Sequence, residues 1–171
     1  DRSNISYTGS DTSIGFFDAS STSLGIDSGI IMCSGSIFDA EGPNFSSGNG
    51  ITVGVPGDKD LTDIVLDSTY DACVLEFDFV ANSDLIQFNY VFGSEEYPEF
   101  VNAGYNDVFA FLLYEVTNPA AKKNIAIIPG TTLPVSIDNL NANLNSKYYV
   151  DNTGGQSLEY DGYTTKLTAI A

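Results

Sequence analysis

Apolar residues in this chain come in short runs, each closed by a Gly-, Pro-, Asn- or Asp-centred turn, and helical periodicity is nearly missing. Short runs with period-two alternation bury one face of an extended strand, so the chain is constrained to fold as sheets. The predicted strands are 29–34, 72–80, 85–92, 107–116, 124–128, 148–151 and 163–170. Between them lie Gly42-Pro43-Asn44, Asn49-Gly50, Pro56-Gly57-Asp58, Pro129-Gly130, Gly154-Gly155 and Asp161-Gly162. The segment up to about Thr22 is rich in Ser and Thr, with apolar residues too sparse to assign.

Within 72–80, Cys73, Leu75, Phe77 and Phe79 share one face and Val74, Glu76, Asp78 and Val80 the other, the pattern of a half-buried strand. In 107–116 both faces are apolar, which places that strand centrally. The connection Ala81-Asn82-Ser83-Asp84 predicts a hairpin between 72–80 and 85–92. Two layers packed on such faces give an all-β fold, a jelly-roll-like β-sandwich with long loops. One short helix is predicted, because Leu61, Ile64, Val65 and Ser68 fall at helical spacing, with Asp60 capping the first turn and Asp63 at its third position.

The 171 residues fit one domain, 1–171, and eleven Phe and ten Tyr supply a real core, which argues against disorder. No apolar run approaches membrane-spanning length. The chain begins at Asp1 without Met or a leader, and reads as a piece of a longer protein whose targeting and anchoring segments lie elsewhere. Twenty-three acidic against six basic residues leave a formal charge of −17. Such a surface repels nucleic acid and anionic lipid, and favours a monomer. It also repels itself unless cations neutralise it. The acids are mainly Asp in loops beside Gly and Asn, hard oxygen donors on a flexible backbone, which is the composition of a calcium site.

There is no His, which removes the Ser-His-Asp and Cys-His arrangements and the usual zinc ligands. Cys33 and Cys73 sit in apolar runs and read as two small buried thiols in preference to a bridge, with no feature beside either that would make it reactive.

Three constellations carry chemistry. The densest is Phe92-Gly93-Ser94-Glu95-Glu96-Tyr97-Pro98-Glu99-Phe100, followed by Gly104-Tyr105-Asn106-Asp107. Carboxylates this close raise one another's pKa unless a cation sits among them, and the aromatic residues argue that the loop is packed down. Glu95, Glu96 and Asp107 are therefore assigned to metal on oxygen density, in preference to a solvated acidic loop. Tyr97, Glu99, Tyr105 and Asn106 are the candidate ligand-binding residues. The second constellation is Gly57-Asp58-Lys59-Asp60-Leu61, where Asp58 and Asp60 can address one ion or serve as turn former and helix cap. An EF-hand is excluded, since Asp63 and Thr69 stand where such a loop requires Gly and Glu. The third is Glu159-Tyr160-Asp161-Gly162-Tyr163-Thr164, in which Asp161 is a candidate metal ligand or an ordinary turn residue.

In order along the chain, Leu24-Gly25-Ile26-Asp27-Ser28-Gly29-Ile30, Gly57-Asp58-Lys59-Asp60-Leu61, the stretch from Phe88 through Phe92-Gly93-Ser94-Glu95-Glu96-Tyr97-Pro98, and Tyr160-Asp161-Gly162-Tyr163-Thr164 resemble the choice-of-anchor L domains of bacterial surface proteins. Within that family the chain is similar to the peptide-binding domains of RTX-type adhesins. The resemblance implies a calcium-stabilised domain of a secreted, extracellular adhesin on the bacterial cell surface. It also implies recognition of the free C-terminal carboxylate of a peptide on a host or partner cell, in adhesion and biofilm formation, with bound Ca2+ taking part.

A calcium-dependent, lectin-like module that binds glycans is the closest alternative, because sugars use the same Asp, Asn and Glu oxygens. An enzyme would have to be a glycosidase working with two of Glu95, Glu96 and Glu99, and acids crowded into one loop do not face across a cleft. No enzymatic activity is expected. A structural spacer has no use for a long acidic-aromatic loop.

Overall fold

The computed structural model describes residues 2–171. Strand dominates its regular structure: β1 (Arg2–Thr8), β2 (Ile14–Asp18), β3 (Ser28–Met32), β4 (Val74–Phe79), β5 (Gln87–Tyr90), β6 (Gly93–Ser94), β7 (Val108–Phe109), β8 (Leu112–Leu113), β9 (Lys123–Asn124), β10 (Val135–Ser136), β11 (Tyr149–Asp151), β12 (Gly162–Thr164) and β13 (Leu167–Ile170). They pair antiparallel in small ladders, β1–β4, β2–β3, β5–β13, β7–β10 and β8–β9, and in one three-stranded sheet with β12 between β11 and β6. Among the described residues, no helix is long and apolar enough to cross a membrane.

The outline of an all-β chain with one short helix is borne out, with differences in detail. The predicted hairpin between 72–80 and 85–92 does not form. β1 takes the edge of β4 and β13 takes that of β5, while Val80 and Leu85, which a hairpin would have paired, are exposed. The run 107–116 is not one central strand but splits into β7 and β8, which pair with different partners. Asn124 interrupts it, its Oδ1 accepting from the Phe111 amide at 3.2 Å. The run 163–170 likewise breaks into β12 and β13. The unassigned early segment holds β1 and β2. β1 carries a register shift between Ser3 and Ser6, where Asn4 has φ +49° and donates from Nδ2 to Asp78 Oδ2 at 2.6 Å.

Helix α1 (Lys59–Val65) forms where predicted, one turn shorter than its apolar spacing suggests. Its cap is Asp58, not Asp60: Asp58 Oδ1 accepts from the Leu61 amide at 3.0 Å. The chain leaves the helix through Leu66 in the left-handed region.

The core lies in the C-terminal part of the chain. Leu167 and Ala169 of β13 face Tyr90 and Phe88 of β5, and Ile125, Ala126, Ile128, Val135 and Leu140 complete the cluster. Thr168 and Asn89, on the outer face of the same ladder, hydrogen-bond to each other at 2.9 Å. Phe88 stacks on Phe111 and Tyr90 packs tilted against Phe109, each at 4.9 Å between centroids, and these rings tie the β5–β13 ladder to β7 and to the link into β8.

Candidate functional site

The three-stranded sheet sets the site. Gly162 of β12 pairs with Ser94 of β6, so the next step of the ladder puts Glu95 beside Asp161, whose amide faces the Glu95 carboxylate. On the other edge of β12, Asp151 of β11 pairs with Gly162, and the Asn152 amide donates to the Asp161 carbonyl at 2.9 Å. Gly162 permits this packing, because a Cβ there would lie 2.7 Å from the ring of Tyr149 and 2.8 Å from that of Tyr97. Glu159 precedes Asp161 by two residues, and both act on the Glu95 carboxyl from the bend that leads into β12.

A strap formed by residues 40–49 closes over these acids. It runs antiparallel to 155–159, with Asn44 donating to the Gly155 carbonyl and Glu159 to that of Ala40. A Cβ on Gly42 would strike the main chain of Ser157 and Leu158, so only Gly allows the approach. The strap then delivers three donors to three carboxylates. Asn44 Nδ2 reaches Asp161 Oδ1 at 2.8 Å, the Phe45 amide reaches Glu159 Oε2 at 3.0 Å, and the Asn49 amide reaches Glu95 Oε1 at 2.8 Å.

Two of these carboxylates are left part-satisfied. Glu95 Oε2 and Asp161 Oδ2 are buried and have no hydrogen-bond partner among the described residues. Glu159 and Asp161 are only 2% and 6% exposed. Burial pushes the Glu95 carboxyl up, against the Asn49 amide, and the charges of Asp161 and Glu159 push it further. Asp161 is raised by burial, against its bond from Asn44, with Glu99, Glu159 and Asp151 adding repulsion. Among the described residues, none of the three is in an ion pair with a basic side chain.

Glu96 has different neighbours, because the chain leaves β6 after Ser94 and turns through Glu95 and Glu96. Its neighbour is Asp107: Ser94 Oγ donates to Asp107 Oδ2 at 2.8 Å and accepts from the Glu96 amide at 3.0 Å. Burial raises Glu96, with the Asp107 charge adding to it, and burial likewise raises Asp107 against the Ser94 bond. Burial raises the Tyr160 hydroxyl, and the charges of Asp107 and Glu95, one from each acidic group, add to it.

The candidate ligand-binding residues divide as well. Tyr97 is 0% exposed, packs on Tyr149 and donates to the Leu140 carbonyl at 2.5 Å, so it holds the loop from beneath and offers no surface. Tyr105 is 61% exposed and braced edge-on by Phe100. Asn106 Oδ1 accepts from the Asp138 amide, and Glu99 is exposed. Glu95, Glu96, Tyr105, Asn106 and Asp107 are among the residues lining a cleft of ≈ 2900 Å³, to which β2, β3 and β4 also contribute.

Asp58 and Asp60 are engaged separately, Asp58 as the cap of α1 and Asp60 in an ion pair with Lys122 at 2.6 Å. The acids brought together are thus Glu95, Asp161 and Glu159. Glu159, Asn44 and Asn49 were not among the sequence candidates. The two-residue spacing of Glu159 and Asp161 signals the first; the strap residues are remote in sequence and carry no such signal.

Among the described residues no three acids or thiols stand in a ready metal cage. The donor set nevertheless fits a hard cation in chemistry: carboxylate oxygens, two of them buried without a partner, with no nitrogen or sulfur donor required. In the comparisons with known proteins, the family model described as Choice-of-anchor L domain matches residues 1–171. No curated protein and no solved structure matches the chain.

Proposed function

The chain belongs to the choice-of-anchor L family, and on that premise we propose that it is the calcium-dependent ligand-binding module of an RTX-type bacterial adhesin, directed at the free C-terminal carboxylate of a peptide. The family implies a surface-associated bacterial protein, cell-surface or extracellular. The reading of the small ladders as parts of a β-sandwich belongs to the same proposal.

The observation that carries it is the pair of orphaned buried oxygens, Glu95 Oε2 and Asp161 Oδ2, on two residues that the β6–β12 ladder sets side by side. Two buried anions without a counter-charge are costly, and a divalent cation is the partner that hard oxygen donors accept best. Glu95, Glu159 and Asp161 would hold the ion, while the strap orients them through Asn44, Phe45 and Asn49. Bound calcium would supply positive charge and an open coordination position for an incoming carboxylate. Glu96 and Asp107 then line the cleft, with Tyr105 and Asn106 as contacts for the peptide. Hydrolytic chemistry is not supported, since Glu95 and Glu96 turn to different partners and Glu99 stands exposed.

The exposed face of Tyr105, braced by Phe100, favours glycan binding as the second reading, because sugars stack on such rings. A single array separates the two. Peptides with free C-termini should bind in calcium and lose binding in EDTA or when amidated. Binding of amidated and free peptides alike, or of glycans alone, would reject carboxylate recognition.

A further inference from the structure

Ser13 is a hub in the N-terminal part of the molecule. It is buried, and its carbonyl accepts from the Cys33 amide at 3.0 Å and from Cys73 Sγ at 3.2 Å. The Cys73 sulfur also contacts the Tyr7 hydroxyl at 3.5 Å, and the Cys33 amide faces it. Cys33 follows β3 and Cys73 precedes β4, so one oxygen gathers the ends of two separate ladders with a half-buried thiol on each. We propose that Cys33 and Cys73, free thiols in this structure, are a disulfide-forming pair that closes when the domain meets an oxidising medium.

The Cys73 sulfur and the Cys33 amide share the Ser13 carbonyl, at 3.2 and 3.0 Å, so the two cysteines are neighbours and a bridge asks for a turn of the Cys33 side chain away from Gly35 and Tyr160. The reason for a bridge lies in the packing. Apart from Ala19 and Ala40, every buried apolar residue lies at Tyr90 or beyond, while Phe16 is 87% exposed and Ile5 and Ile30 are exposed too. The β1–β4 and β2–β3 ladders therefore have little core of their own, and small elements short of core are those that cross-links stabilise. The surface location implied by the family supplies the oxidising setting.

Two thiols give up two protons and two electrons, an S–S bond forms, and a low-molecular-weight disulfide such as oxidised glutathione is reduced to two thiols. Burial raises both cysteines, which keeps them largely protonated at neutral pH, so the reaction should quicken as pH rises.

The test uses the intact domain, purified reduced and then held in oxidised glutathione at mildly alkaline pH. Mass spectrometry should show the loss of two hydrogens, no thiol open to alkylation, and a Cys33–Cys73 linked peptide pair in a monomer. The melting midpoint should rise by about 5 °C or more. Cys33→Ser and Cys73→Ser, folded by circular dichroism, should each take up one glutathione instead. Persisting thiols, stable glutathione adducts on the unaltered protein, or a linkage between molecules would overturn the proposal.

Discussion

Asp161 shows how much one residue can be asked to do. Its Oδ1 is held by Asn44, its main chain joins β11 to the Glu95 loop, and its Oδ2 has no partner among the described residues. Glu95, Glu96, Asp107 and Asp161 are all raised by burial, so in the folded state each holds its proton to higher pH than in the unfolded chain. Their contribution to stability is present below the ordinary carboxylate range, about pH 4, and is lost as pH rises through the raised values. Asp18 and Asp151 are lowered and act in the opposite sense, but both lie at the surface, where solvent screens them. In EDTA the melting midpoint should therefore increase as pH is lowered from neutral into the window just above the usual carboxylate values. Asp161→Asn should melt higher than the unaltered protein in EDTA and show a smaller pH effect. A midpoint that falls steadily on acidification would count against buried, uncompensated acids. Tyr97 makes a separate prediction at this scale. Tyr97→Phe leaves the Leu140 carbonyl unpaired in the core and should cost about 1–3 kcal/mol in denaturant unfolding, with calcium response retained.

At the scale of elements, the two acidic constellations do different work. Asp58 and Asp60 serve the helix, one as cap and one in the link to Lys122. Asp58→Ala should cost about 1 kcal/mol and leave any calcium-induced shift in melting unchanged. A lost shift would bring the helix start back as a cation site. The short β6–β12 ladder, by contrast, decides which acids meet. Period-two alternation made strands such as β3, β4 and β5 legible in the sequence, and helical spacing revealed α1. Their pairing was not legible: β4 and β5 look like a hairpin until β1 and β13, distant in the chain, take their edges. The breaks at Asn124 and between β12 and β13 were hidden for the same reason, since a side-chain or long-range bond decides them. Of the candidate site, oxygen density singled out Glu95, Glu96 and Asp107, and the third constellation offered Asp161. The ladder register and the strap, which leave no local signal in the sequence, set Glu159 with Glu95 and Asp161 and Glu96 with Asp107.

For the whole molecule, charge and packing are unevenly distributed. A core at Tyr90 and beyond carries the buried cluster, the N-terminal ladders contribute to the lining of the cleft, and a net charge of −17 makes the molecule repel itself. A cation held by Glu95, Glu159 and Asp161 would relieve repulsion where the strap from the N-terminal half meets the C-terminal sheet. Stability and ligand binding should thus share one requirement. The most direct measurement is a set of thermal melts of the purified domain in calcium, magnesium and EDTA. Saturating calcium should raise the midpoint by about 5–10 °C over EDTA, with magnesium well short of that. Equal midpoints in all three would contradict a calcium site and leave the buried acids without their proposed partner.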